Sequence, residues 1–120
     1  MSARTYGSDI GPGDAQALIA AGAPAVDVRE PAEFAAAAIP GSINVPLGAV
    51  QLHGAGALRA AGIDLDVEHL VLICRSGKRS GVARMALAAA LDTRAHNLAG
   101  GVLAWAQQGL ALTPGGVTTD

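Results

Sequence analysis

With one cysteine, Cys74, in 120 residues, the chain cannot form an internal disulfide. Aromatic residues make up only 2% of it, so the core is not built on rings. Much of the 51% hydrophobic fraction is alanine, which predicts a closely packed, helix-rich interior of small side chains. Excess positive charge is missing too: the net charge is −2, with no global field to draw nucleic acid or an anionic membrane surface. His53, His69 and His96 share no metal-ligand spacing with Cys74, so neither a metal nor another cofactor is expected. Long apolar runs are absent, the longest being Met85 to Leu91, and the opening MSARTYGSDI has no apolar leader core. No membrane association is expected, and the expected location is cytoplasmic. The length suits one domain with an ordinary core.

What is present centres on Leu70 to Leu91, LVLICRSGKRSGVARMALAAAL. Val71, Leu72 and Ile73 form an unbroken β-favouring run, as in a strand buried on both faces of a parallel sheet. Beyond a polar loop, Val82, Met85, Ala86, Ala89 and Ala90 recur at helical spacing and are expected to face inward. The pattern predicts strand, tight loop, helix. The first amides of a helix lack intrahelical partners and carry the positive end of its dipole, so Cys74 would sit where an anion belongs. Arg75, Lys78 and Arg79 add fixed positive charge, and Gly77 lets the backbone curl so that several amides converge. Such surroundings lower a cysteine pKa from about 8.5 into the range of roughly 3.5 to 7.5. A lone cysteine after an apolar strand is more often a small buried hydrophobe; three cations within five residues favour a reactive thiol here.

CRSGKRS, between its strand and helix, resembles the active-site loop of rhodanese-type sulfurtransferases. Two further stretches agree in order and separation: DVREPAEF at Asp27 to Phe34 followed by IPGSINVPL at Ile39 to Leu47, and LAGGVLAW at Leu98 to Trp105. The resemblance spans roughly residues 8 to 110. It implies a rhodanese-like domain over 1–110 with a catalytic Cys74 and a binding loop of Arg75, Ser76, Gly77, Lys78, Arg79 and Ser80. It also implies supporting roles for Asp27, Arg29 and Glu33. The family usually shows Gly-His just before the IPG-like motif; here those positions hold Ala37 and Ala38, which removes a side chain able to hydrogen-bond across the loops.

The rest of the chain reads as alternating strands and helices. Residues 1 to 8 are expected to add a short edge strand. Pro12 opens a helix that Gly22 stops; Ala25 to Arg29 reads as a strand whose end exposes charge, and Pro31 opens a short helix to Ala38. Turn, short strand and turn follow over Ile39 to Leu47. Gly48 to Gly62 reads as a loop with a weak helix around Ala55 to Ala61, anchored by Val50, Leu52 and Leu58. Arg94 to Leu98 is a last strand, with His96 neutral within it. After Gly100 and Gly101 comes a final helix with Val102, Trp105 and Ala106 on its buried face. Residues 111–120 are expected to be a disordered tail. The alternation predicts an α/β fold, a mostly parallel central sheet flanked by helices on both faces, with right-handed crossovers. Ligands of such sheets bind at the carboxyl ends of strands, where Cys74 lies.

A thiolate held by amides can take the outer sulfur of a donor such as thiosulfate, become a persulfide, and pass the sulfur to cyanide or a thiol. The partners expected are therefore a small-molecule sulfur donor and acceptor, with a protein acceptor also open. The rivals are a sulfur-carrier or protein-interaction module without turnover, and a cysteine phosphatase or arsenate reductase. The phosphatase loop sets five residues between cysteine and arginine, whereas Cys74 and Arg79 are separated by four. The smaller ring suits one sulfur atom better than a phosphate. Arg79 either faces the anion or turns away to pin the loop to the sheet.

Overall fold

The computed structural model describes residues 8–116. Five strands, β1 (Asp9–Ile10), β2 (Ala25–Asp27), β3 (Ile43–Asn44), β4 (Leu70–Ile73) and β5 (Ala95–Leu98), form one sheet in the order β1-β5-β4-β2-β3. Every strand pairing in the sheet is parallel. β4 is central and wholly buried, and its side chains alternate between the faces as a strand requires. Leu70, Leu72 and Cys74 join a core with Val50, Leu58, Ala83, Leu87 and Leu91, while Val71 and Ile73 join a second core with Ala15, Val102 and Trp105. Full burial of a side chain such as Leu72 contributes about 2 to 3 kcal/mol.

The helices follow from these cores. Helix α1 (Pro12–Ala20) and α6 (Gly101–Gln107) cover one face; α3 (Leu47–His53), α4 (Ala55–Ala60) and α5 (Lys78–Leu91) cover the other. Crossovers that move toward β1 use the second face and the β1 to β2 crossover uses the first, so they share one hand. Helix α2 (Pro31–Ala36) is short and opens on a reciprocal capping box between Glu30 and Glu33. Among the described residues no helix is long and apolar enough to cross a membrane.

The structure corrects several expectations. Residues 1–7 lie outside the described range, and the edge strand is Asp9–Ile10, paired with β5. The helix expected around Ala55 to Ala61 is present as α4, but the loop expected before it is helix α3, and Leu52 is exposed rather than an anchor. Helix α5 is turned the other way round from its apolar pattern: Ser80, Ala83, Leu87 and Leu91 are buried, while Val82 and Met85 are exposed. Alanine fills so many positions that apolar periodicity has little contrast, and the inward stripe opens on a serine. Ala106 is likewise exposed, although Val102 and Trp105 are buried.

The charge at the end of β2 is not solvated, since Asp27 is 0% and Arg29 5% exposed. The expected disordered tail does not hold for 111–116: Ala38 and Thr113 form a two-way antiparallel bridge, and Gly115 N–H donates to the Ala35 carbonyl. Residues 117–120 lie outside the described range. His96 sits in β5 within hydrogen-bond distance of His69 Nδ1 and Ser8 Oγ, both at 2.9 Å. Burial, then the neighbouring His69 and Arg84, lower its pKa, in keeping with a neutral ring.

Candidate active site

Cys74 follows β4 directly, at the carboxyl end of the sheet's central strand. Onward connections from the neighbouring strands β2 and β4 run toward opposite edges of the sheet, the kind of switch point at which open α/β sheets bind ligands. The turn from strand to helix needs Gly77, whose φ of 100° is left-handed and strained for other residues. That turn aims the Gly77 N–H at Cys74 Sγ, 3.0 Å away. The Ser80 hydroxyl, buried one turn into α5, lies 3.3 Å from the same sulfur. Burial raises the Cys74 pKa, but the Ser80 hydroxyl and the amides of Ser80, Gly77 and Ser76 outweigh it and bring the pKa below its ordinary value.

The cations play a different part from the one expected. Arg75 and Lys78 are exposed, and amides and a hydroxyl, rather than side-chain charge, favour the thiolate. Arg79 turns to α2 and grips Glu33 through a bidentate pair, at 2.6 and 2.9 Å. The loop is thereby pinned to the helix beside it rather than to the sheet. Glu33 also accepts the Glu30 N–H at 3.0 Å, so one carboxylate caps α2 and holds the loop. The Arg79 hydrogen bond brings the Glu33 pKa down to about 2 from 4.5. The sign of its linkage follows: the depressed pKa contributes stability that is complete above the unfolded value and is lost as pH falls from about 4.5 toward about 2. Both side chains are about one-third exposed, so solvent limits the gain to about 1 kcal/mol or less. Glu33→Gln should therefore cost little stability at neutral pH, and the gap between the two proteins in urea unfolding should close through that acid window. A gap independent of pH would show that the charge of Glu33 does not matter.

Asp27 and Arg29 form a buried ion pair at the end of β2, the strand next to β4. Arg29 Nε reaches both Asp27 oxygens, at 3.1 and 3.0 Å, and Nη2 reaches Oδ2 at 2.8 Å. Arg29 Nη2 also donates to the Ala37 carbonyl at 2.6 Å, so main chain takes up a cross-loop contact one residue before the position where the family pattern usually has its histidine. The third of the resembling stretches packs on the loop from behind. Val102 N–H donates to the Cys74 carbonyl at 2.9 Å and Leu103 N–H to the Arg75 carbonyl at 3.2 Å. This approach requires glycine at 101, where a Cβ would stand 2.3 Å from the Arg75 carbonyl oxygen.

The predicted loop residues therefore converge by main chain, with Ser80 the one loop side chain directed at the sulfur. Two residues were not foreseen. Asn97 on β5 contacts Ser80 and donates to the Gly77 carbonyl at 3.1 Å and to Asp9 Oδ1 at 3.0 Å. The only sequence signal for either was a polar residue at a strand position otherwise reading as core. Among the described residues no group of three His, Cys, Asp or Glu is placed to hold a metal ion. Cys74 itself is 1% exposed. The arrangement is a covered sulfur faced by the Gly77 amide and the Ser80 hydroxyl, chemically suited to hold one anion.

A model of the rhodanese-like domain family matches residues 11–108. A sulfurtransferase of Allochromatium vinosum is 37% identical over 87 residues, 72% of this chain and 75% of that protein. Human thiosulfate:glutathione sulfurtransferase is 39% identical over 102 residues, 78% of this chain and 88% of that protein. Among solved structures, a Rhodopseudomonas palustris protein of unknown function, titled a possible tyrosine phosphatase, is 28% identical with a TM-score of 0.70. That match covers 89% of this chain and 85% of the other.

Proposed function

Because the chain belongs to the rhodanese-like domain family, we propose that it is a sulfurtransferase, carrying a sulfane sulfur from a donor such as thiosulfate to a thiophilic acceptor on Cys74. The observation that carries this reading is the pair of donors, Gly77 N–H and Ser80 Oγ, trained on one buried sulfur at the carboxyl end of β4. The Cys74 thiolate attacks the outer sulfur of thiosulfate, the S–S bond of the donor breaks, and sulfite leaves with the bonding pair. The persulfide left behind is again an anion, and the same amides can hold it. An acceptor nucleophile then attacks the terminal sulfur: cyanide leaves as thiocyanate, a thiol as a persulfide, and Cys74 returns as thiolate. Sulfite is a good leaving group, so no general acid is needed beside the cysteine. With Cys74 almost fully covered, the reading favours donors whose sulfur stands at the end of a narrow group. The names of the two sulfurtransferase relatives support the same chemistry, and a reducing, cytoplasmic setting suits the free thiol.

The phosphatase reading draws support from one neighbour's title. It fits the site less well. Four residues between Cys74 and Arg79 make a tight ring, and Arg79 is engaged by Glu33 rather than free to clamp an oxyanion. A carrier module without turnover shares the persulfide and differs only in its acceptor. One assay separates all three. Treated with thiosulfate, the intact protein should gain the mass of one sulfur, and cyanide should remove it as thiocyanate over repeated cycles. Loading without repeated release would favour the carrier, whereas no adduct together with hydrolysis of an aryl phosphate would favour the phosphatase.

A further inference from the structure

We propose that Asn97 is a positioning residue for Cys74: it fixes where the Ser80 hydroxyl points its single proton, and that proton turns from Asn97 to the sulfur when the thiol ionises. The inference rests on Cys74 being the reacting sulfur. Ser80 Oγ lies between two acceptors, Cys74 Sγ and Asn97 Oδ1. A hydroxyl carries one proton and cannot donate to both. Which end of the Asn97 amide faces Ser80 is settled by its other contacts. Nδ2 has two protons and two acceptors, the Asp9 carboxylate at 3.0 Å and the Gly77 carbonyl at 3.1 Å. Flipped, the amide oxygen would confront both. Asp9 is itself the register partner of Asn97 across β1 and β5, and Arg84 Nη1 holds it at 3.1 Å. Oδ1 therefore faces Ser80 and can only accept.

Two arrangements follow. With a neutral thiol every group is satisfied: S–H donates to Ser80 Oγ, Ser80 donates to Asn97 Oδ1, and Asn97 donates to Gly77 and Asp9. On ionisation the thiol proton leaves to solvent and the sulfur only accepts. Ser80 keeps its O–H bond and rotates it toward the sulfur, leaving Asn97 Oδ1 without this donor in a residue 7% exposed. Losing a buried partner is unfavourable, so Asn97 opposes the thiolate that the amides favour. The loop's preference for the anion is thus set by a contest over one proton.

In the native chain, the side-chain carbonyl ¹³C resonance of Asn97 should move through a pH titration with the same midpoint as the ultraviolet absorbance of the Cys74 thiolate. A flat resonance would overturn the inference. Asn97→Ala should raise the thiolate fraction at neutral pH about 3- to 10-fold, the effect of removing one competing hydrogen bond. The same change made on Ser80→Ala should leave the thiolate fraction unaltered. An unchanged or higher midpoint in Asn97→Ala, or an equal shift in both backgrounds, would also overturn it, since Asn97 would then act through loop shape alone. Asn97→Leu repeats the test at similar volume should the alanine variant not fold, and the resonance needs no variant. No sulfur donor enters these measurements. A chain that titrates as expected but takes no sulfur from thiosulfate refutes sulfur transfer alone; one that loads sulfur with a flat resonance refutes the Asn97 role alone.

Discussion

Cys74→Ser is expected to end sulfur loading from thiosulfate and thiocyanate formation, with the fold intact. Oxygen and sulfur differ little in size here, and a serine hydroxyl still offers an acceptor to the Gly77 N–H that now reaches the sulfur at 3.0 Å. What disappears is the chemistry: an alcohol is not ionised near neutrality and forms no stable link to a transferred sulfur. Removing the nucleophile of a covalent enzyme can cost roughly 10⁶-fold, and with no second cysteine in the chain there is no substitute. Intact-mass measurement and thiocyanate release read the loss, while circular dichroism and the unfolding midpoint read the fold. Persistent turnover would mean that the sulfur travels by a route not involving Cys74.

Arg29→Ala should bring the largest loss of stability of any substitution near the site, about 3 to 5 kcal/mol. Asp27 is wholly buried, and three of its contacts come from the Arg29 guanidinium. Without that partner the carboxylate keeps the Arg29 backbone N–H at 2.9 Å but no opposite charge. The Ala37 carbonyl loses its donor as well. For a domain of this size the melting temperature should fall by more than roughly 10 °C. Asp27→Asn combined with Arg29→Met should recover part of the loss, because an isolated buried charge costs more than the absence of both charges. Urea unfolding of the three variants tests this, and a cost below about 1 kcal/mol for Arg29→Ala would place the pair among ordinary surface ion pairs.

The parts of the molecule that were legible in the sequence are those where one residue type leaves the backbone little choice. An unbroken apolar run before Cys74 is a buried strand, and Gly77 is the left-handed turn that follows. The alternation of such segments suffices for a parallel α/β sheet with the cysteine at its carboxyl edge. Legibility fails where packing rather than local preference decides. Alanine gives α5 no clear inward side; the face that turns inward carries Leu87 and Leu91 into the core together with Ser80, whose contact with the sulfur is a tertiary fact that hides in a polar residue. Glycines at 48 and 54 suggest a loop ahead of the helix expected near Ala55, yet Val50 buries itself under the sheet and a further short helix forms there. Clustered arginine and lysine suggest charge around the thiol, whereas Glu33, 46 positions away, draws Arg79 aside. Asn97 and Asp9 belong to the site only because β1 and β5 lie side by side, and no local pattern records that.

The seat of α6 against the loop has a bearing on when that loop is complete. Carbonyls of Cys74 and Arg75 are held by Val102 and Leu103, more than twenty-five positions later in the chain. A ribosome delivers the cysteine well before the residues that complete its cradle. The turn that carries the sulfur therefore reaches its final seat only when the last helix docks.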